Sequence, residues 1–154
     1  MSANGQQGAS VEQLYRELTD ADPVSGDSGG QSKAVVDAVT DQLFPGQSFR
    51  FDEQLVKNSL DELLLVLVAL RDSDTHGKGL MEDLSRMFDA RLSPGTVYPR
   101  LHDLEEDDFL EMHELVRTKE YRIKEDDDTR SRIEDAMRQH LALGVVFYSA
   151  LDEL

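Results

Sequence analysis

Residues 92–106 read LSPGTVYPRLHDLEE, and this stretch decides the fold. Ser93 is followed by Pro94, a pair that typically occupies the N-cap and the first position of an α-helix. Apolar residues then recur at the spacing of one helical face, at Val97, Leu101 and Leu104. The stretch therefore predicts a helix that packs by one face and ends at the acidic turn that follows Leu104.

Two helices are predicted before this stretch. Asp52 can cap a helix that runs to about Arg71 and is apolar on nearly all faces after Ser59, as expected of the central helix of a small domain. After the break at residues 72–74, a second helix starts at His76-Gly77 and carries apolar residues at helical spacing as far as Phe88.

The pattern after the stretch changes to rough alternation. Residues 109–115 and 119–123 predict two strands, with residues 116–118 at the tip of their hairpin. The acidic run 126–128 precedes a last helix from about Thr129 to the end of the chain. The order of elements predicts a mainly α (α+β) winged helix-turn-helix with a two-stranded wing and a long C-terminal helix.

The segment 92–106 resembles the recognition-helix signature of PadR-type transcriptional regulators, Leu-Ser-x-Gly-Thr-(Leu/Val)-Tyr-x-x-Leu-x-x-Leu-Glu. His76-Gly77 matches the pair that usually begins the upstream helix of that family. The resemblance covers about residues 55–154. It departs from the family at Asp107-Asp108, where a Gly is usual, and at Lys124, where the wing usually ends in Thr. The resemblance implies a winged-helix transcription regulator that binds DNA.

The second helix of such a module enters the major groove, and the wing reaches the phosphates or an adjacent minor groove. The predicted contacts are hydroxyls, cations and the open backbone at the helix start: Arg91, Ser93, Gly95, Thr96, Tyr98, Arg100, Arg117 and Lys119. Structural roles compete with these. Ser93 can serve only as a cap, Tyr98 can lie against the core, and Arg100 can pair with Asp103 or Glu105.

The charge of the chain favours a high-salt cytoplasm. Thirty-two acidic against sixteen basic residues give a net charge of −16 over 154 residues, and only five of the basic residues are lysine. This composition is typical of proteins from halophilic archaea, although an ordinary acidic protein is the alternative. No acid occurs from Ala90 to His102 or from Leu115 to Lys119. These two windows are where a net-acidic protein could approach DNA.

The last helix carries an apolar stripe that predicts a two-fold homodimer. Its candidate interface residues follow the helical repeat and include a glycine for close approach: Ile133, Met137, His140, Gly144, Phe147, Tyr148 and Leu151. Such a dimer would place two recognition helices about one DNA turn apart and read a pseudo-palindromic operator. The alternative is that two N-terminal helices fold back over the stripe.

Three segments are predicted: an N-terminal extension with two short helices and a linker (1–50), the DNA-binding domain (51–125) and the dimerisation helix (126–154). The chain has no cysteine, no signal peptide is predicted, and no apolar run is long enough for a bilayer, so we expect a cytoplasmic location without membrane contact. No catalytic, metal or cofactor motif is present, so we expect no enzyme, and no residue indicates a small-molecule effector. A winged-helix protein–protein adaptor that does not bind DNA is the alternative function.

Overall fold

A computed structural model describes residues 30–71 and 75–154. The elements, in chain order, are α1 (Gly30–Leu43), α2 (Glu53–Asn58), α3 (Leu60–Leu70), α4 (Gly77–Phe88), α5 (Pro94–Glu106), β1 (Leu110–Glu114), β2 (Lys119–Ile123) and α6 (Asp126–Leu151). They confirm the predicted mainly helical winged helix-turn-helix with a two-stranded hairpin and a long last helix. The predicted first helix at residues 11–18, most of the predicted linker and the predicted break at 72–74 lie outside the described residues.

The predicted helix from Asp52 to Arg71 is two helices, so that boundary was wrong. Asp52 does cap α2, because its Oδ1 accepts a hydrogen bond from the amide of Leu55 at 3.0 Å. Ser59 leaves helical geometry, at φ −108° and ψ 17°, and separates α2 from α3. Helix α3 is the centre of the core, as its apolar composition predicts, with Leu64 and Leu65 completely buried.

Helices α4 and α5 form the helix-turn-helix. His76 caps α4, because its Nδ1 accepts a hydrogen bond from the amide of Gly79 at 2.9 Å. Asp89 ends the helix in the left-handed region, at φ 52°, which Asp adopts more readily than most residues. Helix α5 buries Val97, Leu101 and Leu104, the three residues whose spacing predicted that face.

A buried ion pair joins the end of α3 to α4. Nε of Arg71 lies 2.9 Å from Oδ2 of Asp83, which is fully buried. Burial raises the pKa of Asp83 above its ordinary value, and the charge of Arg71 opposes that change. The pair fixes the position of α4 against the central helix.

The hairpin is confirmed: β2 has the predicted bounds, and β1 is one residue shorter at each end than predicted. It is antiparallel, with Leu110 opposite Ile123 and Glu114 opposite Lys119. A short segment before α4 extends the sheet, because His76 bridges to Glu120 and the amide of Tyr121 donates to the carbonyl oxygen of Thr75 at 3.0 Å. The hydroxyl of Thr75 also donates to the carbonyl oxygen of Tyr121, at 2.5 Å. The middle of β2 is thereby held to the segment that leads into α4.

Asp108 shows why a glycine is usual between α5 and the hairpin. Its φ is 63°, in the left-handed region that glycine adopts most easily and that Asp tolerates. Its carboxylate accepts a hydrogen bond from Nζ of Lys124 at 2.6 Å, and that contact raises the pKa of Lys124. Two departures from the family pattern, the acid at 108 and the lysine at 124, therefore form one interaction.

The last helix begins three residues earlier than predicted and ends at Leu151. Asp126–Asp128 form its first turn, where the helix dipole favours negative charge. Its first half packs on the core through Ile133, whereas its second half is exposed. Helix α1 packs against α3 and α4 and leaves that second half exposed. Within residues 30–71 and 75–154, no helix is both long and apolar enough to cross a membrane.

Candidate nucleic-acid interface

An open cavity of about 450 Å³ lies where the start of α4, the flank of α5 and the hairpin tip meet. Three of the lining residues were predicted to contact DNA, and two of these three are cations at the hairpin tip. The cavity is lined by His76, Gly77, Lys78, Glu82, Tyr98, Arg117, Thr118 and Lys119. The structure therefore brings together Tyr98, Arg117 and Lys119, which come from two separate acid-free windows of the sequence.

Tyr98 is positioned by a glycine. A Cβ atom built on Gly77 would lie 2.5 Å from Cε1 of Tyr98, so only glycine at position 77 leaves room for the ring. The ring is 42% exposed, which places it at the cavity wall rather than in the core. The pKa of the neighbouring buried Tyr121 is raised, first by burial and then by Glu105 and Tyr98.

The cavity carries an excess of positive charge. The lining contains one carboxylate, that of Glu82, and three cationic side chains, those of Lys78, Arg117 and Lys119. Lys119 makes a loose ion pair with Glu114, at 3.9 Å, and both side chains are well exposed. Arg117 makes no ion pair with any residue that the structure describes. Cations held this weakly are available to a phosphate.

The start of α5 differs from its prediction in one respect. Ser93 is at the N-cap, and its carbonyl oxygen accepts from the amides of Thr96 and Val97 at 3.0 and 3.2 Å. Its hydroxyl, however, lies 3.2 Å from the hydroxyl of Thr96 and does not cap a backbone amide. A Cβ on Gly95 would meet only the Ser93 hydroxyl, at 3.8 Å. Pro94 has no N–H, so the amide of Gly95 is the one in this first turn that is left open to an anion.

Arg100 lies on the other flank of α5. Two residues of helix turn the chain by about 200°, so Arg100 and Tyr98 point to opposite sides. Arg100 pairs with neither Asp103 nor Glu105: its Nη1 lies 3.6 Å from Oδ2 of Asp61 on α3. The structure therefore does not bring Arg100 into the cavity with Tyr98. Arg91 is exposed in the turn between α4 and α5.

Lys78 is a lining cation that the sequence reasoning missed. It is exposed in the first turn of α4, next to the hairpin tip. A signal for it is present in the sequence, because no acid occurs from Thr75 to Met81 around Lys78.

The predicted dimer residues fall into two groups. Ile133, Met137 and His140 line an apolar groove against α2 and α3 of the same chain. His140 makes its hydrogen bonds within the chain, with Nε2 3.1 Å from Oγ of Ser59 and Nδ1 2.7 Å from the carbonyl oxygen of Ala136. The other group is exposed: Phe147, Tyr148 and Leu151 each leave about two-thirds of their surface uncovered, and Gly144 faces open space.

Comparison with known proteins finds a family whose model matches part of this chain. Residues 66–128 match the model of the transcriptional regulator PadR-like family. The transcriptional activator GvpE of Haloferax mediterranei is 44% identical over 87 residues, which are 56% of this chain and 45% of that protein. The transcriptional activator GvpE1 of Halobacterium salinarum is 36% identical over 107 residues, 70% of this chain and 56% of that protein. This chain thus spans about half the length of these relatives.

A solved structure, that of a PadR-like transcription factor from Bacteroides fragilis, covers 62% of this chain and 94% of its own, with a TM-score of 0.45 and 20% identity. Both activators come from haloarchaea, the group that the composition of this chain indicated. The match of residues 66–128 spans α4, α5 and the hairpin, which are the elements around the cavity. Residues 66–128 of this chain are thus similar to the PadR-like transcriptional regulators.

Proposed function

We propose that this protein is a transcription regulator that binds double-stranded DNA sequence-specifically, as a homodimer on a pseudo-palindromic operator in a high-salt cytoplasm. The observation that carries the proposal is the cavity at which Lys78, Arg117 and Lys119 meet the flank of α5. Phosphates would bind these cations and the open amide of Gly95, while α5 lies in the major groove. The relatives named as transcriptional activators support a role in transcription.

The domain boundaries of the proposal follow the elements. Residues 51–125 would form the DNA-binding unit and residues 126–154 the dimerisation helix. The exposed second half of α6 supports the homodimer, since monomeric proteins rarely leave an apolar stripe of this kind in water. The two-fold axis of that dimer would relate two copies of α5 and thereby require two related half-sites in the operator.

The net charge of −16 determines how this binding should respond to salt. At about 1 M salt the Debye length is roughly 3 Å, so the repulsion between distant acids and DNA is screened while contacts at the cavity persist. Cations held between the acidic surface and DNA would also be taken up rather than released. We therefore expect affinity to fall only weakly with KCl, or to rise, whereas ordinary DNA-binding proteins lose affinity steeply.

Fluorescence anisotropy on fragments of the protein's own promoter, from low to molar KCl, tests the proposal. We expect wild-type binding to survive molar KCl, and the double variant Arg117→Ala/Lys119→Ala to bind at least tenfold more weakly because two charge-assisted contacts are lost. Lys33→Ala, at an exposed lysine of α1, is the matched control and should stay within twofold of wild type.

Three results would contradict parts of this proposal. A steep negative salt slope would refute the salt argument alone. Unchanged affinity of the double variant would refute the cavity as the site. An absence of binding to the promoter and to a genomic fragment library would refute DNA binding and favour the protein–protein adaptor.

A further inference from the structure

One carboxylate oxygen connects three helices beside the recognition helix. Oδ2 of Asp61, on α3, lies 3.3 Å from Nη2 of Arg132 on α6 and 3.6 Å from Nη1 of Arg100 on α5. Asp61 is 22% exposed, so its charge is only partly screened by water. The two guanidinium groups therefore share one negative charge.

The two arginines are held very unequally. Arg132 also donates to Glu62 at 3.3 Å, and its guanidinium lies 4.7 Å from the ring centroid of Phe109. The side chain of Arg100 is half exposed. Among the described residues it forms one ion pair, the long contact with Asp61. Arg132 is thus fixed at this site, whereas Arg100 can leave it at little cost.

We propose that Asp61 and Arg132 are positioning residues that set how readily Arg100 reaches DNA. Arg132 neutralises Asp61 and thereby weakens its hold on Arg100, which is then available to a phosphate or a guanine edge. If α6 moved and withdrew Arg132, Asp61 would keep Arg100 as its partner and hold it on the flank of α5. The placement of the last helix would in this way change the affinity of the recognition helix for DNA.

This inference rests on the proposed function, and a double-mutant cycle in molar KCl tests it separately. Asp61→Asn should tighten binding to the operator about two- to fivefold, because Arg100 loses its competing partner. Arg132→Gln should weaken binding by a similar factor. In the double variant Asp61→Asn/Arg132→Gln the effect of the glutamine should vanish, so that Asp61→Asn rescues Arg132→Gln.

Two further variants separate this mechanism from general electrostatics. Asp41→Asn removes one acid from the exposed face of α1 and should leave the affinity unchanged. In an Arg100→Ala background, Asp61→Asn should no longer tighten binding. Arg132→Gln is not used if it lowers the melting temperature by more than a few degrees. In that case the comparison of Asp61→Asn in the wild-type background with Asp61→Asn in the Arg100→Ala background decides the proposal.

The outcomes are distinct. Equal weakening by Arg132→Gln with and without Asp61→Asn would mean that Arg132 acts on DNA directly or on folding, and would overturn the inference. Tightening by Asp61→Asn that persists without Arg100 would overturn it as well. Wild-type protein that binds no DNA at all would instead refute the proposed function.

Discussion

Gly77 and Gly95 lie in the first turns of the two helices of the helix-turn-helix. The space that a side chain would find differs between the two positions. A side chain at 77 would collide with Tyr98, whereas a side chain at 95 would extend into open space. We expect Gly77→Ala to lower the free energy of unfolding by about 1–3 kcal/mol through overpacking. Gly95→Ala should leave that free energy unchanged or raise it by up to about 1 kcal/mol, because alanine favours helix.

DNA binding should separate these two variants further. Gly95→Ala should weaken binding roughly tenfold if a phosphate binds the amide of Gly95, since the added methyl group would take up space next to that amide. Urea denaturation at constant molar KCl and anisotropy on the same preparations measure both quantities. A Gly95→Ala protein with full affinity would remove the start of α5 from the interface, whatever its stability.

The contact between the hairpin and the segment before α4 includes one side-chain hydrogen bond, which the hydroxyl of Thr75 donates. Thr75→Val keeps the shape and removes the donor to the carbonyl oxygen of Tyr121. We expect a loss of about 0.5–1.5 kcal/mol in the free energy of unfolding and faster amide exchange at Tyr121. Thr118→Val, on the exposed tip, is the control and should change stability by less than about 0.5 kcal/mol. Equal losses in both variants would show that the joint is unimportant.

Local sequence patterns predicted the elements well where packing followed periodicity. The buried face of α5 and the alternation of the hairpin are set by neighbours within the same element, so the sequence displays them directly. The break at Ser59 follows the polar residues Lys57 and Asn58, but no proline or glycine marks it, and apolar residues stand on both sides at Val56 and Leu60. Periodicity therefore predicted one continuous helix there.

The partner of Arg100 could not be read from local spacing. Asp103 and Glu105 are close in sequence, but Asp61 lies 39 positions away on another helix, and only the fold brings it within 3.6 Å. The convergence of Tyr98 with Arg117 and Lys119 was predictable only through the family resemblance. Lys78 joined that group because the segment before α4 pairs with β2, a contact that no periodicity indicates.

For the whole molecule, the second half of α6 should decide the oligomeric state. Its apolar side chains, Leu143, Val146, Phe147, Tyr148 and Leu151, are all more than half exposed in one chain. We expect wild-type protein to sediment at twice 17.3 kDa in molar KCl. Phe147→Asp should produce monomers because it places a charge in the apolar contact.

Ser149→Asp is the matched control, since it adds the same charge on the opposite side of the helix. It should remain dimeric at the same protein concentration. Sedimentation velocity distinguishes the species. Monomeric wild-type protein, or dissociation by both variants alike, would contradict an interface on the face of Phe147.

The hairpin is mechanically similar to a beam that is held at one point of β2 and is free at its tip. The middle of β2 is fixed by the two hydrogen bonds between Thr75 and Tyr121, while Val116 at the hairpin tip is fully exposed. In such a cantilever, deflection under load grows toward the free end and is small at the clamp. In the proposed DNA complex, Arg117 would therefore follow flanks of different groove width while α5 keeps its position in the major groove. We expect tolerance of flank shape to depend on hairpin compliance, independently of the bases that α5 reads.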